Sequence, residues 1–90
     1  MTARPDLVFR VGTKKVAVEV ETGTTYEKAK KQLQQKVMQL NKDYDYWFFV
    51  VTVRNYVSRY KGLGRVVDYR FMKKRVDGII KNLQKADNAK

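Results

Sequence analysis

Apolar residues occupy every second position on both sides of Gly12-Thr13. They are Leu7, Phe9, Val11, Val16, Val18 and Val20. An alternation of period two is typical of strands with one buried face. Glycine at the first central position of a two-residue loop is typical of a type II′ hairpin turn. The pattern therefore predicts a β-hairpin with strands over residues 5–11 and 14–21, and it places the apolar row on a core face.

A helical period follows the hairpin. Thr24 and Glu27 have the spacing of a capping box, with the threonine as N-cap. The apolar positions that follow share one helical face; they are Tyr26, Ala29, Leu33, Val37 and Leu40. This spacing predicts a helix over residues 24–41. The apolar run over residues 46–53 is rich in β-forming residues, which is typical of a central strand buried on both faces. Together these elements predict a βαβ unit with a right-handed crossover.

The last third of the chain predicts smaller elements. Residues 54–65 favour a short helix and then a glycine-rich turn, and residues 66–69 favour a short strand. A final helix is expected over about residues 71–85. Its apolar side carries Met72, Val76, Ile79, Ile80 and Leu83. The whole chain, 1–90, is then a single α/β domain with a mixed sheet and the element order β-β-α-β-(short α/β)-α.

The hairpin register brings acidic residues together. With Gly12-Thr13 as the loop, Asp6 faces Glu19, and Glu21 points to the same side of the sheet. A one-residue slip would bury these acids, so the apolar face holds the register. Opposed like charges destabilise a sheet, and a hard divalent cation relieves the repulsion. We predict a magnesium or manganese site here. The competing interpretation is a set of solvated acids on an ordinary amphipathic hairpin.

Composition narrows the possible chemistry. The chain has no cysteine and no histidine, which excludes disulfides, zinc-thiolate sites and histidine-based catalysis. The remaining catalytic groups are carboxylates, lysine, tyrosine and metal-bound water. No apolar run reaches the length of a membrane span, and the N-terminus lacks the apolar region of a signal peptide, so we expect a cytoplasmic protein with no membrane partner.

The charge balance points to a polyanionic partner. Twenty basic residues against nine acidic ones give a net charge of +11, which favours binding to DNA, RNA, an anionic membrane or the ribosome. Charge alone is compatible with each of these four partners.

The order Pro5-Asp6, hairpin, Glu19-Val20-Glu21, capped helix and buried strand resembles the PD-(D/E)XK nuclease superfamily. That superfamily includes restriction endonucleases, archaeal Holliday-junction resolvases and RecB-like nucleases, and the similarity covers residues 4–53. The resemblance implies a restriction-endonuclease-like core and metal-dependent hydrolysis of DNA phosphodiester bonds. It also implies that Asp6 and Glu19 bind Mg or Mn, with the carbonyl of Val20 as a further ligand.

The chain departs from the family pattern where the usual lysine falls, at Glu21. Some members of the superfamily carry a glutamate there, and others move the lysine to the following helix. Glu21 is then a candidate for binding a second metal or accepting a proton from water. The candidate replacement lysines on the helix are Lys36, Lys28 and Lys31. Gln32 is a candidate for orienting the site or contacting DNA. The side chains expected to neutralise DNA phosphates are Arg10, Lys14, Lys15, Lys28, Lys31 and Lys36.

A helix and a strand normally precede the Pro-Asp strand in this family, and five residues cannot supply them. Either the chain belongs to a longer protein, or a minimal version completes its sheet and cleft by dimerising. We expect a homodimer, because an uncovered edge strand invites association.

Two other classes of function compete with the nuclease. The first is a non-catalytic nucleic-acid-binding domain in which tyrosines stack on single-stranded bases. The candidates are Tyr44, Tyr46, Tyr56 and Tyr60, although packing in or beside the core is the favoured interpretation of these rings. The second is an assembly module whose last helix pairs with a partner. The basic residues of that region are expected to form a solvated face, with DNA contact as the weaker interpretation; they are Arg70, Lys73, Lys74 and Arg75.

Overall fold

A computed structural model of the protein describes residues 5–23 and 30–88. A four-stranded mixed sheet has the strand order β1-β2-β3-β4. The first pair is antiparallel and the other two pairs are parallel. The strands are β1 (Leu7–Val11), β2 (Lys14–Glu21), β3 (Tyr46–Val51) and β4 (Val66–Asp68), and the helices are α1 (Lys30–Asp43), α2 (Val57–Tyr60) and α3 (Met72–Asn88). The α/β class is thus confirmed, while the restriction-endonuclease-like core stays a prediction.

The hairpin has the predicted register. Val11 lies opposite Lys14 and Leu7 lies opposite Val18. Gly12 has φ 60°, and no non-glycine residue in the described ranges has a positive φ, which is consistent with a type II′ turn and excludes type I′. The first strand begins at residue 7 rather than residue 5. Because proline has no N–H to donate, Pro5 cannot extend the hydrogen-bonded ladder.

The sheet is covered on both faces. Under α3, the buried residues are Val11, Val16, Val18, Phe48, Val50, Val67 and Ile79. Under α1 and α2, they are Ala17, Leu33, Leu40, Trp47, Phe49, Val51 and Tyr60. Strand β3 contributes to both clusters, as predicted for a central strand. The prediction of a continuous apolar core face on the hairpin is wrong at its outer end, because Leu7 and Val20 are exposed there.

Element boundaries differ from the predicted ones by a few residues. The predicted capping box at residues 24–27 lies outside the described residues. Strand β3 ends at Val51, two residues early, and a 3₁₀ turn over Arg54–Tyr56 leads into α2. A second 3₁₀ turn, Tyr69–Phe71, precedes the last helix, which continues to Asn88. Within residues 5–23 and 30–88, no helix has both the length and the apolar character needed to cross a membrane.

Candidate functional site

Two of the three predicted acids are buried beneath α1. Glu19 is 2 % exposed and Glu21 is 4 % exposed. They lie on the same face of β2 as Ala17, whose side chain belongs to the core under α1. The interpretation of these two residues as solvated acids is therefore wrong. The alternation of apolar and polar residues along β2 predicted one core face and one solvent-exposed face, whereas both faces of this strand are covered.

Lys36 supplies the positive charge next to the buried acids. Its Nζ lies 2.7 Å from Glu19 Oε2 and 3.8 Å from Glu21 Oε1. Helix α1 runs back across the sheet from the carboxyl end of β2, which brings its second turn over these residues. Of the other two candidate lysines, Lys31 is exposed near the start of α1 and Lys28 lies outside the described residues. The structure thus places Lys36 in contact with the acids, a choice that the sequence spacing left open.

The pKa values of Glu19 and Lys36 are both raised. Burial raises the pKa of the Glu19 carboxyl, and the hydrogen bond from Lys36 offsets this only in part. Burial alone would lower the pKa of the Lys36 ammonium. Its hydrogen bond to Glu19 and the nearby charges of Glu21 and Asp6 outweigh burial and raise that pKa. The lysine therefore stays charged at neutral pH, while ionised Glu19 is held at a cost in free energy.

Asp6 lies at the end of the hairpin, beside the buried acids. Its Oδ2 accepts a hydrogen bond of 2.8 Å from the Val20 N–H. Extending the register beyond β1 puts Asp6 opposite Glu19 and Pro5 opposite Val20. The N–H and C=O of one strand residue point to the same side, so the Val20 carbonyl also points towards the β1 side. Pro5 has no N–H to donate to it, which leaves this carbonyl suited to bind another group.

The residue types fit a hard divalent cation. Carboxylate and carbonyl oxygens are the ligands that magnesium and manganese prefer. Glu19 Oε1 is buried and has no hydrogen-bond partner among the described residues. In the described part of the chain, however, no three acidic side chains converge as a metal-binding group. A cation would therefore compete with Lys36 for Glu19 and draw Asp6 towards the buried acids.

The predicted phosphate-contacting residues fall at two ends of the sheet. Lys31 and Gln32 are exposed in the first turn of α1, which precedes the turn that carries Lys36. Arg10, Lys14 and Lys15 lie at the hairpin turn, and Lys15 Nζ sits 5.3 Å from the Tyr44 ring centroid. Lys15 precedes Glu19 by four positions along the strand, a distance of about 13 Å. The turn residues therefore do not belong to the immediate surroundings of the acids.

Sequence reasoning missed the residues that β4 adds to this edge of the sheet. Glu21 is in register with Val51, and Val51 is in register with Asp68. Hydrogen bonds from Arg70 lower the pKa of Asp68, and the charge of Arg54 contributes as well. The carboxyl ends of parallel strands meet at one edge. Pairing the predicted short strand with β3 would have revealed this arrangement.

Comparison with known proteins identifies no relative of this chain. No protein-family model matches the chain, and neither curated proteins nor solved structures give a match. The resemblance to the PD-(D/E)XK superfamily therefore stays a prediction from the sequence.

Proposed function

We propose that this protein is a metal-dependent nuclease that hydrolyses phosphodiester bonds in DNA. The observation that carries the proposal is the cluster of Glu19, Glu21 and Lys36 at the carboxyl end of β2. Two carboxylates are rarely buried together without a function, because burying charge is costly. This chain has Glu21 where the family pattern has its lysine, and Lys36 of α1, which contacts both acids, would take the place of that lysine.

Each residue has a role in the proposed reaction. Asp6, Glu19 and the Val20 carbonyl would hold a magnesium or manganese ion, which would polarise the scissile phosphate and lower the pKa of bound water. Glu21 would accept the proton of the attacking water. With Glu19 bound to the metal ion, Lys36 would lose its ion pair with this carboxylate. Its ammonium would then stabilise the negative charge that develops on the phosphate oxygens. Lys31 and Gln32, both exposed on α1, would contact the backbone of the bound strand.

One observation favours a second candidate, a non-catalytic nucleic-acid-binding domain. The short Lys36–Glu19 ion pair neutralises the carboxylate that a metal would need. In that case the acids and the lysine hold α1 on the sheet, and the basic surface alone binds nucleic acid with a strong dependence on salt.

A nuclease assay on duplex, single-stranded and branched DNA, with magnesium, manganese or EDTA, separates the two candidates. We expect metal-dependent cleavage that is lost in Glu19→Gln and in Asp6→Asn. The matched control is Asp45→Asn, because Asp45 Oδ2 accepts the Lys15 N–H at 2.7 Å, much as Asp6 accepts the Val20 N–H. Asparagine can still accept either hydrogen bond, and a glutamine at position 19 can still accept from Lys36, so all three proteins should fold.

The control variant should cleave like the wild type. Absence of metal-dependent cleavage on all three substrates by folded wild-type protein would exclude the nuclease. Equal loss in Asp6→Asn and Asp45→Asn would show that the effect of the Asp6 change is structural.

A further inference from the structure

Two large aromatic side chains point into solvent at the junction of β4 and α3. Tyr69 is 60 % exposed and Phe71 is 56 % exposed. The four tyrosines singled out from sequence behave differently: Tyr60 is buried, and the others are half-buried and packed against the two cores. Their favoured interpretation as core or rim packing is confirmed. The exposed rings lie in a turn that sequence reasoning assigned only to a strand end and a helix start.

The turn that carries these rings is held in place. The Asp68 carboxylate accepts hydrogen bonds from the Arg70 N–H at 3.0 Å and from its guanidinium at 3.2 and 3.1 Å. The same guanidinium lies 5.4 Å from the centroid of the Phe71 ring. A ring on a fixed turn loses little conformational entropy when it contacts a ligand. The turn is therefore suited to present its aromatic faces to a partner.

A groove opens directly beside Phe71, between β4 and α3. Its volume is about 510 Å³, and its lining includes Val66, Phe71, Gly78 and Ile79. At Gly78 an added side chain would meet nothing within 4 Å, so this helix position leaves open space. The groove thus combines an apolar floor with one exposed aromatic wall, and its size lies within the range of small-ligand sites.

The helix beside the groove is strongly basic. Lys73, Lys74 and Arg75 are exposed on its first turn, and Lys74 and Arg75 line the groove. Asp77 is the one acid in the sequence of residues 72–81. Positive charge beside exposed aromatic rings is the combination with which proteins bind single-stranded nucleic acid: cations contact the phosphates, and rings stack on the bases.

We propose that Tyr69, Phe71 and the adjacent groove bind unpaired bases of a DNA single strand, with Lys73, Lys74 and Arg75 on its phosphates. This inference rests on the proposed function and names its substrate class, namely DNA with a single-stranded segment beside the cleaved bond. Asp68 is two strands from Glu21 in the same row of the sheet, a separation of roughly 10 Å. The groove lies on the α3 face of the sheet and the acids lie on the α1 face, so a DNA strand that passes around this edge would contact both sites.

The test measures binding of a fluorescent oligothymidylate and of a duplex of equal length to the full chain, with EDTA present. We expect Phe71→Ala and Tyr69→Ala each to weaken single-strand binding between about 5-fold and about 150-fold, and duplex binding by about two-fold at most. Phe71→Trp should retain single-strand binding, because indole also stacks. Met38→Ala removes an exposed apolar side chain from α1 and should change neither affinity.

A second experiment, with lysines replaced by neutral residues, tests the phosphate contacts. Lys73→Gln with Lys74→Gln should reduce the salt slope of single-strand binding by about 1.4, from about 0.7 per neutralised phosphate. The corresponding change at Lys42, exposed at the far end of α1, should leave the slope unchanged.

The outcomes separate this proposal from the proposed function. Single-strand binding that depends on Phe71, in a protein without metal-dependent cleavage, supports the groove and rejects the nuclease. Metal-dependent cleavage with single-strand binding indifferent to Phe71 and Tyr69 overturns the groove proposal and leaves the nuclease standing. Equal losses on duplex and single strand, or a groove that takes an acidic peptide and no oligothymidylate, also overturn it.

Discussion

Replacing Lys36 by methionine tests the central electrostatic feature of the candidate site. The ammonium faces two buried carboxylates at 2.7 and 3.8 Å. At an effective dielectric constant of about 20, these separations correspond to gross attractions of about 6 and about 4 kcal/mol. The desolvation of all three groups offsets much of this. Removing one member of a buried pair typically costs about 3–5 kcal/mol.

The Lys36 side chain is 30 % exposed, so water can partly replace it, and we expect Lys36→Met to lower the free energy of unfolding by about 2–4 kcal/mol. For a domain of this size that is a large part of the total free energy of unfolding, and the melting temperature should fall by at least about 8 °C. Urea unfolding followed by the fluorescence of Trp47, the single tryptophan, measures the change. Lys31→Met, at an exposed position of the same helix, is the control.

Two further conditions sharpen the test. The deficit of Lys36→Met should shrink at low pH, because protonated glutamates need no counter-charge. At a free manganese concentration 100-fold above the dissociation constant of Lys36→Met, the metal should stabilise this variant by about 2.7 kcal/mol. The gain of the wild type should be smaller, and EDTA should reverse both gains. A deficit no larger than that of Lys31→Met, at every pH, would refute the reasoning.

Four other substitutions, one of them a control, test further parts of the structure. Glu19→Gln should be at least as stable as the wild type at about pH 7. Burial raises the pKa of Glu19, so its ionisation costs the folded state free energy as pH rises above 4.5. The urea midpoints of the variant and the wild type should therefore converge at about pH 4. Gly64→Ala should destabilise the protein by about 1–3 kcal/mol, because the new Cβ would overlap the buried Trp47 ring. The control is Gly62→Ala, which meets open space and should be nearly neutral. Thermal melts compare the two variants. Gly78→Ala should stabilise α3 by about 0.5–1 kcal/mol, and an unchanged melting temperature would contradict this.

Local rules predicted the hairpin well and the helix–sheet packing poorly. The loop at Gly12-Thr13 and the alternation of apolar residues determine the register, because both act between neighbours in the chain. The rotation of α1 about its axis depends on side chains that are distant in sequence. For that reason spacing could not select Lys36, and it could not reveal that Glu19 is buried.

The exposed turn at Tyr69–Phe71 shows a second limit of sequence reasoning. Aromatic residues are usually expected in cores, and this region was predicted as the end of one element and the start of another. Its exposure follows from β4, which has only three residues, and from the Asp68 carboxylate that holds Arg70 in the turn. Neither the length of a short edge strand nor such a local hydrogen bond is encoded in hydrophobic periodicity.

The hydrogen bond between the Val20 N–H and Asp6 has a consequence for amide exchange. Most strand amides exchange with solvent only when a segment of the sheet opens. The Val20 amide is protected by a side chain instead, so rotation of one carboxylate is enough to release it. The exchange rate of the Val20 amide therefore reports how often the Asp6 carboxylate leaves β2, while the rest of the sheet stays closed.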